Sequence, residues 1–61
     1  MKVRDAIKLL EKDGWRMRAI EGSHRQFVHA TKPGKVTLAG HPSDEVPRGT
    51  LGSILKQGGL K

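Results

Sequence analysis

Apolar positions near both ends of the chain recur with helical spacing. In the segment VRDAIKLLEKDG, polar and charged residues separate an apolar set made up of Val3, Ala6, Ile7, Leu9 and Leu10. This pattern predicts a first helix with one buried face, which Gly14 ends in a left-handed conformation. Close to the other end, GTLGSILKQGG carries Leu51, Ile54 and Leu55 at the same spacing and predicts a second helix.

The residues between the two helices follow a period of two instead. WRMRAI, HRQFVH and KVTLA each predict a half-buried strand, and the turn sequences GS and TKPG separate them. Short turns make consecutive strands antiparallel neighbours. The chain is therefore predicted to be one α+β domain over residues 1–61. Its order is α-β-β-β-α, and the two helices cover one face of a three-stranded antiparallel sheet.

A strand register follows from the requirement that one sheet face be apolar. A three-residue first turn pairs Ala19 with Phe27, and the four-residue turn TKPG pairs Phe27 with Leu38. The covered face then carries Trp15, Met17, Ala19, Phe27, Val36 and Leu38. The open face carries Arg16, Arg18, His24, Gln26, Lys35, Thr37 and, if the third strand continues that far, His41. In this register, His24 lies opposite His41.

Composition and charge narrow the class of partner. The 61 residues include no cysteine, which excludes disulfides and thiolate zinc sites and suits a cytoplasmic protein. No apolar run has the length of a membrane span, so no membrane association is expected. The net charge is +6, and no carboxylate lies between Glu21 and Asp44. This distribution favours a polyanionic partner such as RNA, although a basic domain that is merely soluble has the same composition.

The stretch GSHRQF contains the candidate chemistry. A histidine can accept and donate a proton near neutral pH, and beside RNA it can remove the proton of a 2′-hydroxyl that attacks phosphorus. His24 is the candidate, framed by Gly22 and Ser23, and His41 is a possible second acid or base. The candidate phosphate contacts are Arg16, Arg18, Arg25 and Lys35. The alternative is that His24 is simply a solvated turn residue.

Metal and cofactor sites are not expected. His24 and His29 lie five residues apart on one strand and so point to opposite faces, which disfavours a shared metal ion. No glycine-rich loop joins a strand to a helix, so a nucleotide cofactor site is not expected.

Five segments in a fixed order resemble the HicA family of toxins. They are IKLLEKDGW, GSHRQFVH, KPGKVT, HP and P-x-GTL-x-x-ILKQ-x-GL, and together they extend over essentially the whole chain. The resemblance implies a fold like that of a double-stranded-RNA-binding domain. It also implies an endoribonuclease that cleaves messenger RNA and is neutralised by a HicB-type antitoxin protein that masks its active site. With His24 as the acid or base, this cleavage is expected to be metal-independent. The family's catalytic histidine, in the Gly-Ser-His turn, corresponds to His24. The chain departs from the family at Glu21, where a basic residue is often found.

Two functions of other classes remain open. The first is a non-catalytic RNA-binding module on the same fold. Such modules bind phosphates through lysines at the start of the second helix. The corresponding segment here, PRGTLGS, has Arg48 as its only cation, which disfavours this alternative. The second is an interaction domain whose basic sheet face binds an acidic protein.

Overall fold

Two helices and three strands follow one another in the predicted order. The computed structural model describes residues 1–60. Its elements are α1 (Val3–Lys12), β1 (Trp15–Glu21), β2 (His24–His29), β3 (Val36–Ala39) and α2 (Arg48–Gln57). The strands form one antiparallel sheet in the order β1-β2-β3, so β2 is central. The α+β prediction is confirmed. In the described part of the chain, neither helix is long and apolar enough to cross a membrane.

A single hydrophobic core lies between the helices and one face of the sheet. Its buried members are Val3, Ala6, Leu10, Trp15, Phe27, Val36, Leu38, Val46 and Ile54. The predicted stripe of α1 is largely confirmed, although Leu9 is 37% exposed. Ala19 was wrongly assigned to the covered face, since it pairs with Gln26 and lies exposed on the open face. Met17 keeps its predicted side, opposite Phe27, but is 52% exposed. Both lie on the edge strand β1, which has a neighbouring strand on one side only.

The end of α1 is fixed by a glycine, as the sequence predicts. Gly14 has a φ of +102°, a backbone conformation that side-chain-bearing residues rarely adopt. A β-carbon at this position would also lie 2.8 Å from Nε2 of His29. Gly14 therefore allows both the turn into β1 and the close approach of an imidazole.

The first hairpin does not have the predicted register. Its turn has two residues, Gly22 and Ser23, so Glu21 pairs with His24 and Ala19 pairs with Gln26. Continued without interruption, this pairing would set Arg18 opposite Phe27 on the covered face. A β-bulge between Met17 and Ala19 prevents that, and Met17 pairs with Phe27 instead. The bulge thus restores Trp15 to the core side of the sheet.

The second hairpin is displaced by two residues from the prediction. Phe27 pairs with Val36 rather than with Leu38, and His24 pairs with Ala39 rather than with His41. A shift of two residues keeps every side chain on its predicted face, since side chains alternate with a period of two. The predicted pairing of His24 with His41 was therefore wrong, while the placement of His24 on the open face does not depend on it.

Candidate functional site

The Gly-Ser turn presents its histidine at one end of the sheet. Gly22 has a φ of +58° and is the first of two turn residues, whereas Ser23 has no positive φ. Glycine at the first position of a two-residue loop is typical of a type II′ hairpin turn. A β-carbon on Gly22 would meet no atom within 4 Å. The backbone conformation, and not a lack of space, therefore calls for glycine here.

His24 is exposed and begins the central strand β2. Phe27, three residues further on, is buried beneath the helices, so the alternation of side chains puts His24 on the opposite, open face. Its partner on β3, Ala39, is exposed and small. The imidazole is therefore accessible to a ligand on the open face, as the sequence predicts.

Polar and basic residues extend along the same face. Gln26 and Thr37 form a cross-strand pair next to His24 and Ala39. Lys35 is exposed immediately before β3, and Arg16 is exposed on β1. Arg18 is exposed within the bulge, a feature that re-aims a side chain relative to the regular pleat. Within residues 1–60, these three cations form no ion pair, so their charges are available to an anionic ligand.

Arg25 lies on the other face from these cations. It pairs with Leu38, which is fully buried, and is itself half-buried. Its Nη1 donates a hydrogen bond of 2.6 Å to the carbonyl oxygen of Gly40. The Gly40 N–H in turn donates to the carbonyl oxygen of Ser23 at 3.1 Å. Of the four cations predicted to contact phosphate, Arg25 is the one whose guanidinium is bound to the protein's own backbone.

His41 follows Gly40 in an exposed turn and is not a cross-strand partner of His24. Its N–H donates to Oδ2 of Asp44 at 3.0 Å, and its carbonyl oxygen accepts from the Asp44 N–H at 2.9 Å. Because Gly40 bonds to Ser23, the His41 backbone begins beside the turn that carries His24. Among the described residues, no three histidine, aspartate or glutamate side chains are grouped as a metal site requires.

The environment of His29 is a structural one. Its Nδ1 accepts backbone N–H bonds from Thr31 at 3.0 Å and Lys32 at 3.1 Å, and its Nε2 lies 2.6 Å from the Asp13 carbonyl oxygen. Backbone N–H groups only donate, so Nδ1 must be unprotonated and Nε2 must carry the hydrogen. The ring also packs edge-on against Trp15, with 5.2 Å between centroids. His29 therefore joins α1, β1 and the loop after β2.

A lysine completes this junction. The Lys32 ammonium binds Oδ2 of Asp13, and it also donates to the Gly58 carbonyl oxygen at 3.0 Å. That same oxygen accepts the indole N–H of Trp15 at 3.2 Å. The hydrogen bond from Lys32 holds the pKa of Asp13 below its usual range. We call Asp13, Trp15, His29, Lys32 and Gly58 the terminal clamp, since they connect the C-terminal ends of both helices to the sheet.

Sequence reasoning named Glu21 beside the Gly-Ser-His turn but missed two contacts near His24. Glu21 faces His24 directly, and Gly40 is bonded to the turn before it. The first could have been found, because glycine at the start of a two-residue loop indicates a type II′ turn and so pairs Glu21 with His24. The Gly40 contact has no signal in the local sequence, since it depends on where β3 ends relative to the first hairpin.

Comparison with known protein families gives a match that covers nearly the whole chain. The family model of the HicA toxin of bacterial toxin–antitoxin systems matches residues 3–60. No curated protein sequence matches the chain significantly. The family match spans all five secondary-structure elements and includes the Gly-Ser-His turn.

Proposed function

Because the chain belongs to the HicA toxin family of bacterial toxin–antitoxin systems, we propose that it is an endoribonuclease that cleaves messenger RNA. His24 is its general acid or base. The observation that carries this proposal is the placement of His24: exposed, on the open sheet face, and within a segment from residue 22 to residue 43 that has no carboxylate.

The reaction needs a proton acceptor beside the ribose. The unprotonated His24 ring takes the proton of the 2′-hydroxyl as that oxygen bonds to the adjacent phosphorus. The bond between phosphorus and the 5′-oxygen breaks, and the leaving oxygen takes a proton from a second acid. Gly22 and Ser23 lie beside the phosphate, where backbone N–H groups and the Ser23 hydroxyl can donate to its oxygens. These proton transfers and hydrogen bonds use only groups that the chain itself provides.

The cations of the open face bind the RNA backbone. Arg16 and Lys35 are exposed there, and Arg18 is exposed at the bulge. Contacts of this kind follow phosphates rather than bases, so RNA affinity should fall steeply with added salt. The chain has one tryptophan and one phenylalanine, both fully buried, so stacking on bases contributes little.

A toxin of a toxin–antitoxin pair requires a protein that restrains it. We propose that this partner is a HicB-type antitoxin and that it covers the open face, where His24 and the cations lie. Because the proposed substrate is messenger RNA, the proposed site of action is the cytoplasm. An antitoxin surface rich in carboxylates would complement Arg16, Arg18 and Lys35.

His41 is the proposed second proton carrier, and its own variant tests it. If His24 and His41 act as a base and an acid, the cleavage rate has a bell-shaped dependence on pH. In His41→Ala, we expect the alkaline limb of that profile to disappear. A His41→Ala protein with the wild-type profile and rate would remove His41 from the mechanism.

The proposed activity is tested with purified protein and a long single-stranded RNA, with and without a chelator. We expect the wild-type protein to cleave in both conditions. His24→Ala should lose cleavage while it keeps its fold and most of its RNA affinity. The matched control is Ser43→Ala, which alters another exposed polar residue of a turn. Cleavage that persists in His24→Ala would refute the role of His24, and binding without cleavage by wild-type protein would favour the non-catalytic RNA-binding module.

A further inference from the structure

We propose that Arg25 is a positioning residue, which fixes the Gly-Ser-His turn through Gly40 and makes no contact with RNA. This inference rests on the proposed function of His24 and extends it to a neighbour on the opposite sheet face. It replaces the sequence-based prediction that Arg25 binds phosphate.

The first observation is the direction of the Arg25 side chain. Arg25 follows His24 directly on β2, so the two side chains leave the strand on opposite faces. Its cross-strand neighbour Leu38 is fully buried on the helix-covered side. The guanidinium ends at the Gly40 carbonyl oxygen, 2.6 Å from Nη1. A group held there is on the wrong side of the sheet to meet a phosphate beside His24.

The second observation is a closed path of bonds around the catalytic candidate. Ser23, His24 and Arg25 are consecutive in the chain. Arg25 holds the carbonyl of Gly40, and the N–H of Gly40 holds the carbonyl of Ser23 at 3.1 Å. Gly40, which follows β3, is therefore hydrogen-bonded to both chain neighbours of His24, Ser23 and Arg25. These bonds fix the backbone to which the imidazole is attached.

The third observation is that Gly40 lies close against α1. Its φ of +111° demands glycine, and a β-carbon would lie 3.3 Å from Cγ2 of Val3 in α1. The loop beyond it is bonded to α1 as well, since the Val3 N–H donates to the Asp44 carbonyl oxygen at 2.9 Å. Arg25 thus connects the turn to a segment that the first helix holds in place.

This anchoring matters because the Gly-Ser turn lies beyond the ends of the regular pairing. β1 ends at Glu21 and β3 ends at Ala39, so no further strand pairs support Gly22 and Ser23. A displacement of about 1 Å in a catalytic group can cost about 100-fold in rate. Loss of the Arg25 bond is therefore expected to reduce turnover much more than it reduces RNA binding.

The test compares Arg25→Met with Arg16→Met. Both variants replace an arginine by an unbranched, uncharged side chain and remove one positive charge, but they lie on opposite faces of the sheet. We expect Arg25→Met to lower kcat by about 10- to 100-fold with KM for RNA unchanged. In a His24→Ala background, which prevents cleavage, RNA binding by Arg25→Met should have the same salt dependence as RNA binding by the His24→Ala protein alone. Arg16→Met should instead raise KM, leave kcat unchanged and reduce the salt slope by about one phosphate contact.

A second readout does not depend on catalysis. Hydrogen exchange of the Gly40 amide, followed by NMR, reports its bond to Ser23, and it should accelerate at least tenfold in Arg25→Met. Arg25→Lys keeps the charge and a donor, so it should retain part of the protection and part of the turnover even if Arg25→Met folds poorly. In an active wild-type background, a raised KM, a reduced salt slope and unchanged Gly40 exchange in Arg25→Met would overturn the inference. A wild-type protein that cleaves no RNA would instead refute the proposed function. The exchange measurement reports only the Gly40 bond, so the two failures can be told apart.

Discussion

Glu21 lies directly opposite His24 across the two-residue turn, and the two side chains share the open face of the sheet. Both are exposed, and no ion pair joins them within residues 1–60. This places the one acidic residue of β1 beside the proposed reaction site. A phosphate that approaches His24 must therefore also approach a carboxylate.

Removing this carboxylate should strengthen RNA binding. Two unit charges about 7 Å apart in water repel by about 0.6 kcal/mol, so Glu21→Gln is expected to tighten binding about threefold at low salt. Glu21→Lys reverses the charge and should tighten it about sevenfold. Fluorescence anisotropy with a labelled RNA in a His24→Ala background measures these changes. Glu11→Gln is the matched control on helix α1, away from the open face, and equal effects of the two Gln variants would contradict a local role for Glu21.

Loss of His29 should destabilise the protein and leave its chemistry intact. His29→Ala removes the partner of three backbone groups, those of Asp13, Thr31 and Lys32, and opens a space beside Trp15. We expect a loss of about 2 to 4 kcal/mol in the free energy of unfolding, measured by urea denaturation. The control His24→Ala alters an exposed histidine and should change it by less than about 0.5 kcal/mol. Equal stabilities of the two variants would show that the His29 contacts of the terminal clamp contribute nothing measurable.

The sequence predicts the elements of this fold better than their register. Helix and strand identities depend on local periodicity, and the burial of Leu10, Phe27 and Leu38 follows from it. The bulge at Arg18 could have been inferred, since a two-residue turn otherwise sets Arg18 against the core. The six-residue connection from β2 to β3 could not, because its shape depends on Thr31 and Lys32 bonding to the His29 ring. The role of Arg25 likewise depends on a contact between segments 15 residues apart.

Stability should decrease in acid through Asp13. The hydrogen bond from Lys32 lowers the pKa of Asp13 in the folded protein, so the unfolded chain binds the proton more readily. The contribution of this pair is therefore complete above the unfolded pKa of about 3.9 and is lost as the pH falls through the lower folded value. We expect the difference in unfolding free energy between wild-type protein and Asp13→Asn to be largest at neutral pH and to shrink below pH 4. A difference that is constant from pH 7 to pH 2 would contradict this assignment.

Two glycines with positive φ should respond differently to alanine. Gly14→Ala adds a β-carbon 2.8 Å from Nε2 of His29, whereas Gly22→Ala adds one with no atom within 4 Å. Both replacements strain the backbone at a cost of about 1 to 3 kcal/mol, and only Gly14→Ala also displaces the His29 ring. Gly14→Ala should therefore lower the free energy of unfolding more than Gly22→Ala does, as measured by urea denaturation. Gly22→Ala should instead have the larger effect on turnover per folded molecule, because its strain acts two residues from His24. The reverse order in either measurement would contradict the view that Gly14 serves the terminal clamp and Gly22 serves the turn.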